Sequence, residues 1–450
     1  MKIGVYGNGL DSVIACYELL AQGHHVVHFT GGAKIAGHFA GSINEHGVVD
    51  LGMVLLENDV RDTTQKPLST FSNEFGVNAR GYLAESYDFL EKNLGTLRPR
   101  KVKSRLDNGE EVGDYFIADS LEVFKTLTDE EISSLNAKLT RVVNNQQRDF
   151  IHPRLKNQRS HQIKDDLLTQ LEIQYGPELT DKLFGSFLRS LIGSKITRFP
   201  IRFHRKLWIP LYFPETIRAA IGSFDTHLSE ITFLEFTYGS VASNIKKLVE
   251  SISNNLRYSI NTLNYANLHL EDNSINYQIH LLTVVDMSKL LRSKKIENIA
   301  TRIMSKIIQG PRTQISILHF CISEMENKTV ILQSPIKNLF RYSITNGVMK
   351  NQSCISLEFG DIRDSTVDEL FQIFQRVEPT IKKVCNGALQ VVQFSPKYLD
   401  MSLVEWNTLC GDVIGEFPSK NCRVFPIHPD GASFNDNLVR GFAGSKGISF

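Results

Sequence analysis

The chain of 450 residues has two tryptophans, six cysteines, an almost balanced charge and no long apolar run. Each shortage excludes something. Fifty basic residues against 49 acidic ones give a net charge of +1, which leaves no electrostatic footprint for nucleic acid or an acidic membrane surface. A membrane-spanning helix needs roughly 20 consecutive apolar residues, and none are present. The cysteines (Cys16, Cys321, Cys354, Cys385, Cys410 and Cys422) are scattered without metal-like pairing. They read as reduced core thiols of a cytoplasmic protein. The first residues form a strand where the apolar stretch of a signal peptide would stand. The sequons at Asn327 and Asn351 therefore carry no meaning in that compartment. Gly-x-Ser-x-Gly, a Walker loop and Cys-x-x-Cys are all missing, which removes the usual hydrolase, NTPase and dithiol readings. His24-His25 and the remaining histidines lack ligand spacing, so no metal site is expected.

What is present begins at the first residue. Apolar residues make up 42% of the chain and charged residues 22%, enough for a large core and about two or three domains. Lys2-Ile3-Gly4-Val5-Tyr6 is a short apolar strand, Gly7-Asn8-Gly9 a tight turn, Leu10 to Gln22 a helix and His25 to Thr30 a second strand. In this β-turn-α-β unit the Gly-x-Gly turn lies at a helix N-terminus, where unpaired N–H groups and the helix dipole favour a pyrophosphate.

The rest of the chain shows no repeat or low-complexity tract. Residues 65–200 read as mainly helical. Thr128-Asp129-Glu130-Glu131 is a capping box, and a helix opening at Tyr175-Gly176-Pro177 carries the stripe Leu183, Phe184, Phe187, Leu188 and Leu191. A strand pair around Lys101–Phe116 turns at Asn108-Gly109. A helix is expected over 241–257, and strands near 258–285. Consecutive antiparallel strands follow at Gln314–Ser323, Thr329–Gln333, Phe340–Thr345 and Cys354–Phe359. A helix at Val367–Val377, strands at Leu389–Phe394 and Cys422–Ile427, and a helix from about Asn435 complete the pattern. Strand-turn-helix at the end suggests a nucleotide domain built from both chain ends.

These pieces resemble the flavoprotein superfamily of amine oxidases, protoporphyrinogen oxidase and UDP-galactopyranose mutase. The likeness runs without a gap from Lys2 to about Phe39, with Gly7-Asn8-Gly9-Leu10-Asp11-Ser12 on the Gly-x-Gly-x-x-Gly fingerprint. Lys34 to Phe39 falls on the Arg-Leu-Gly-Gly-Arg segment, and Val49-Asp50-Leu51-Gly52 on the Asp-x-Gly strand. Tyr238-Gly239-Ser240, Ile260 to Leu263, Leu339 to Ser343 and Ser433 to Gly441 echo later segments in the right order. Four positions depart. Ser12 stands for the third glycine, Thr30 for the acid that holds a ribose, Ala36 for one glycine of a pair and His38 for an arginine.

The resemblance implies an α/β fold, a Rossmann-like FAD/NAD(P)-binding domain with a mixed α+β substrate domain of helices plus antiparallel sheet. The nucleotide domain would comprise 1–62, 215–290 and 405–450, with substrate-domain parts at 63–214 and 291–404. FAD is the implied cofactor. Gly7, Gly9, Ser12, Thr30, Gly37 and His38 would line its ADP half, Leu263 would pack on the adenine, and Gly52, Asn435 and Asp436 would lie near the ring. Arg341 is the implied catalytic or substrate-facing cation, with a plain strand-surface ion pair as the competing reading. In Phe199–Tyr212, Arg202, Arg205, Trp208 and Tyr212 suit an anionic substrate or else a domain-crossing loop with core aromatics. His428-Pro429-Asp430-Gly431 reads as a turn. The expected activity is FAD-dependent removal of a hydride from a small or medium biosynthetic intermediate. The alternatives are a non-redox flavin mutase acting on a sugar nucleotide and a non-catalytic binding or escort protein related to Rab GDP-dissociation inhibitors. An empty cofactor site would point to a protein partner.

Overall fold

The computed structural model describes residues 1–31, 34–44, 47–52, 54, 56–58, 87–105, 109, 111–112, 127–144, 167–192, 232–262, 274–282, 301, 313–346, 352–360, 362, 365–381, 388–394, 421–424 and 434–446. Strands are labelled in chain order. β1 (Lys2–Tyr6), β2 (His25–Thr30), β9 (Tyr258–Thr262), β10 (Tyr277–His280) and β16 (Cys422–Val424) form one sheet in the order β16-β10-β1-β2-β9. All four pairings are parallel. Parallel neighbours need crossovers, and helix α1 (Leu10–Ala21) supplies the first, between β1 and β2. The apolar residues of α1 (Leu10, Val13, Ile14 and Leu19) pack on Ile3, Val5 and Ile279 in the same core.

A second, nine-stranded sheet runs β15-β11-β14-β13-β12-β6-β8-β5, with β7 beside β6. Its strands are β5 (Leu56–Asn58), β6 (Leu97–Arg105), β7 (Glu111–Val112), β8 (Thr232–Phe236), β11 (Thr313–Ser323), β12 (Lys328–Ile336), β13 (Leu339–Asn346), β14 (Gln352–Phe359) and β15 (Ala388–Phe394). Only β6 and β12 pair in parallel. β3 (Ser42–Asn44) and β4 (Gly47–Val49) form a separate hairpin.

Helices α2 (Asp129–Asn144), α3 (Leu167–Tyr175), α4 (Pro177–Thr180) and α5 (Ser186–Ile192) precede α6 (Val241–Ser253), α7 (Val367–Val377) and α8 (Phe434–Ser445). The expected capping box opens α2, with Thr128 and Glu131 exchanging backbone bonds at 2.8 and 3.3 Å. The expected continuous helix from Pro177 is interrupted at Asp181–Gly185 by a wider π turn. Phe184, Phe187 and Leu188 are still buried. The helix expected over 241–257 stops at Ser253, because the chain turns there to enter β9.

The two faces of the large sheet differ. Leu318, Phe320, Tyr342, Ile344, Ile355 and Leu357 pack against Leu370, Phe371 and Phe374 of α7. Side chains alternate along a strand, so the opposite face carries His319, Thr329, Arg341, Ser343, Ser356 and Glu358, all buried. A buried polar sheet face must be satisfied by hydrogen bonds within the face or by what lies over it.

Candidate functional site

Two segments carry most of the implied site residues. The first is the Gly-x-Gly turn. Gly7 has φ +147°, and a Cβ there would collide with the Leu281 carbonyl oxygen, so this glycine is required by the chain beside it. The turn is braced from β2. His28 Nε2 lies 2.9 Å from the Gly7 carbonyl and Nδ1 2.8 Å from the Tyr258 hydroxyl. A carbonyl only accepts, so Nε2 carries the proton and the Tyr258 hydroxyl donates to Nδ1. Burial holds the His28 pKa down at about 4, so the ring stays neutral. Asn8 Oδ1 accepts from the Gly31 N–H at 2.7 Å and ties the turn to the end of β2. Gly9 bridges Ala36, which adopts φ +70°. Gly37 follows at φ +58°, and among the described residues a Cβ there would meet only the Asn8 carbonyl oxygen, at 4.0 Å.

The space beside Gly9 is taken from within. A Cβ on Gly9 would collide with Asp11 Oδ1 and stand 3.6 Å from Asn437 Oδ1. The Asp11 carboxylate accepts from the Ser12 N–H at 2.9 Å and pairs with Arg440 Nε at 2.9 Å, both side chains being wholly buried. Arg440 Nη2 also donates to Asn437 Oδ1 at 3.1 Å. Burial pushes the Asp11 carboxyl above its usual range, and the Arg440 guanidinium opposes that shift. Gly441 lets α8 lie against α1, since a Cβ there would stand 2.8 Å from the Asp11 carbonyl oxygen. The Ser12 hydroxyl does not face outward but donates to the Gly9 carbonyl at 2.7 Å.

The second is the Asp-x-Gly segment. Asp50 accepts from the Ala242 and Val241 N–H groups at 2.7 and 3.3 Å, a carboxylate at the N-terminus of α6. Ser240 Oγ caps the same helix and donates to the Val48 carbonyl at 2.9 Å. Burial raises the Asp50 pKa against the pull of those N–H groups and of Arg100. Two residues on, Gly52 has φ +72°, and a Cβ there would stand 3.0 Å from the Glu358 carboxyl. The segment therefore crosses the polar face of the large sheet. On that face Arg341 pairs with Glu358, Nε to Oε2 at 2.7 Å and Nη2 to Oε2 at 2.5 Å. Arg100 donates to Thr329 Oγ1 at 2.7 Å and faces Glu235 at 3.7 Å. His319 Nδ1 meets Ser356 Oγ at 2.9 Å, while its Nε2 has no partner among the described residues. Burial holds the pKa of His319 at about 4.

The implied site residues are thus unequally placed. Gly7, Gly9 and Ser12 lie around the turn, while Gly37 and His38 sit in the short helical turn Gly37–Ala40 that follows Ala36. Thr30 is buried at the end of β2, opposite Thr262. Gly52 and Arg341 converge on Glu358. Asn435 and Asp436 belong to the first turn of α8. Leu263, Arg202, Arg205, Trp208 and Tyr212 lie outside the described residues, as does the His428–Gly431 turn. Sequence reasoning missed the roles of His28, Asp11, Arg440 and Glu358. It placed Asp50 in the Asp-x-Gly segment but not at the N-terminus of α6, although the Gly-Ser before that helix was a signal. Among the described residues no cluster could hold a metal ion, and no helix is long and apolar enough to cross a membrane.

Cyclohexylamine oxidase from Brevibacterium oxydans superposes with a TM-score of 0.56 at 10% identity, over 99% of this chain and 97% of that one. The chain shares its fold with this amine oxidase. An oxidoreductase from Methanosarcina mazei gives a TM-score of 0.52 at 13% identity, over 98% and 99% of the two chains. A fatty acid isomerase from P. acnes gives 0.52 at 11% identity, over 99% and 98%. No protein-family model and no curated protein sequence matches the chain.

Proposed function

We propose that the protein is an FAD-dependent oxidoreductase that removes a hydride from a small or medium biosynthetic intermediate. One observation carries the reading: the Asp50–Gly52 segment lies between the N-terminus of α6 and the buried polar face of the large sheet. In the amine-oxidase fold that the chain shares, a flavin ring is expected beside such a segment. The parallel sheet with its Gly-x-Gly turn supplies the frame for an ADP moiety. The open approach to Gly37 fits such a group, whereas the space beside Gly9 is already filled by Asp11. When bound, FAD would supply the hydride acceptor, and the protein would supply position and electrostatics.

The residues divide the work as follows. The Gly7–Gly9 turn, Thr30, Gly37 and His38 hold the ADP half, and Gly52, Asn435 and Asp436 stand by the ring. The Arg341–Glu358 pair, held by charge-assisted hydrogen bonds, stands beside Gly52 and presents a fixed polar surface there. Arg202, Arg205, Trp208 and Tyr212 are the proposed substrate contacts. The proposed nucleotide domain is 1–62 with 215–290 and 405–450, and the substrate domain is 63–214 with 291–404.

The test is the absorbance spectrum of the natively purified protein, followed by mass analysis of the released ligand. Flavin bands and the mass of FAD are expected. A folded, colourless protein that takes up no added FAD contradicts the reading. It would support the second reading, a binding or escort protein on a flavoprotein fold, which the Asp11 carboxylate beside Gly9 favours.

A further inference from the structure

In a dinucleotide fold the second glycine of the turn has no side chain so that the pyrophosphate can come close. Here the atom that comes close to Gly9 is Asp11 Oδ1. The carboxylate sits at the first turn of α1, takes the Ser12 N–H and is neutralised by Arg440. Both partners are wholly buried, so solvent does not screen them. Two anions a few ångströms apart in such a place repel strongly. Arg440 comes from the opposite end of the chain, 429 positions away, and its planar fork suits a phosphate as well as a carboxylate.

We propose that Asp11 is a resident anion in the pyrophosphate position and that dinucleotide binding is an exchange at Arg440. The carboxylate must leave Gly9 for the pyrophosphate to enter, and Arg440 then changes partner from carboxylate to phosphate. No bond is made or broken in this step. Asp11 and Arg440 are thus residues that set affinity, and the inference rests on the nucleotide reading of this turn.

The experiment is equilibrium titration of the full-length protein with ADP, comparing wild type, Asp11→Asn and Asp11→Glu, with thermal melts to confirm folding. Asp11→Asn should bind ADP about tenfold tighter or more, because it removes the competing charge at nearly constant shape. Asp11→Glu keeps the charge and should gain nothing. Asp11→Asn leaves Arg440 without its carboxylate, so the doubly neutral Asp11→Asn/Arg440→Gln protein is the second variant. It lacks the guanidinium that would take the phosphate and should lose the gain of the single variant, and a double variant that binds ADP as tightly as Asp11→Asn would overturn the exchange. Equal ADP affinity in folded Asp11→Asn and wild type, a gain in Asp11→Glu as large as in Asp11→Asn, or no ADP binding to any variant would each overturn the exchange. A wild type that retains FAD while Asp11→Asn gains nothing keeps the oxidoreductase and sinks the exchange. A colourless wild type whose Asp11→Asn variant gains ADP keeps the exchange and sinks the oxidoreductase.

Discussion

Both layers bury arginine–carboxylate pairs, and Asp11–Arg440 and Arg341–Glu358 are built in opposite ways. In the parallel layer Asp11 and Arg440 come from helices at the two ends of the chain and are completely enclosed. In the large sheet Arg341 and Glu358 are register partners on adjacent antiparallel strands, with side-chain exposures of 7% and 1%. The local pair forms as soon as β13 and β14 meet. The long-range pair joins the first and last helices, 429 positions apart, and β16, which pairs with β10, precedes the second of them. The same chemistry therefore serves as a strand fastener in one layer and as a clasp between chain ends in the other.

The largest effect is expected from breaking the clasp. Arg440→Met strands the Asp11 carboxylate in the core and should cost about 3–5 kcal/mol of unfolding free energy. Adding Asp11→Asn should recover part of that loss. Arg341→Met should fall at the lower end of the range, because this pair is not wholly enclosed, 7% of the Arg341 side chain being exposed. Denaturant unfolding of the three variants measures this, and a larger loss from Arg341→Met than from Arg440→Met would reverse the ranking.

Acid should weaken both layers in one window. Burial holds His28 and His319 neutral, with pKa values of about 4 against an ordinary 6.5. The unfolded chain takes up protons as pH falls below about 6.5, while the native rings resist until about 4. Stability is therefore complete near neutrality and falls as pH drops through that interval, by roughly 3 kcal/mol per histidine. In His28→Gln the slope between pH 7 and 4 should become shallower. An unchanged slope would mean that His28 does not brace the turn as a neutral ring.

Gly9→Val should lower stability by about 1–3 kcal/mol through overpacking, because the new side chain drives against Asp11 and Asn437. This loss should appear without any ligand, so urea unfolding of the ligand-free protein decides it. The smallest effect is expected from Thr30→Glu. A carboxylate at the end of β2 would offer two acceptors to a ribose. FAD titration by flavin fluorescence should then show about tenfold tighter binding, roughly 1–3 kcal/mol before desolvation is subtracted. Unchanged or weaker binding in the folded variant would mean that Thr30 does not face the ribose.

Much of the fold was legible because its signals are local. The β1-turn-α1-β2 unit, the α2 capping box and the run β11–β14 each declare themselves by period and turn chemistry within a few residues. β5 and β8 were missed because they are short strands that extend the large sheet through long-range pairing with each other and with β6. The glycines of the site were visible, but the reason for Gly9 was not. Nothing in Leu10-Asp11-Ser12 says that the aspartate folds back toward the preceding glycine, or that an arginine 429 positions away will neutralise it. Arg341 was visible as a cation on a strand. Its commitment to Glu358 depends on register, which single-strand patterns do not carry.

The central claim is that both chain ends build one nucleotide site. Hydrogen exchange of the native protein with and without saturating FAD tests it most directly. The account predicts that FAD slows amide exchange together in segments 7–12, 36–41 and 434–440. Slowing confined to one chain end, or none in any of these segments, would contradict it.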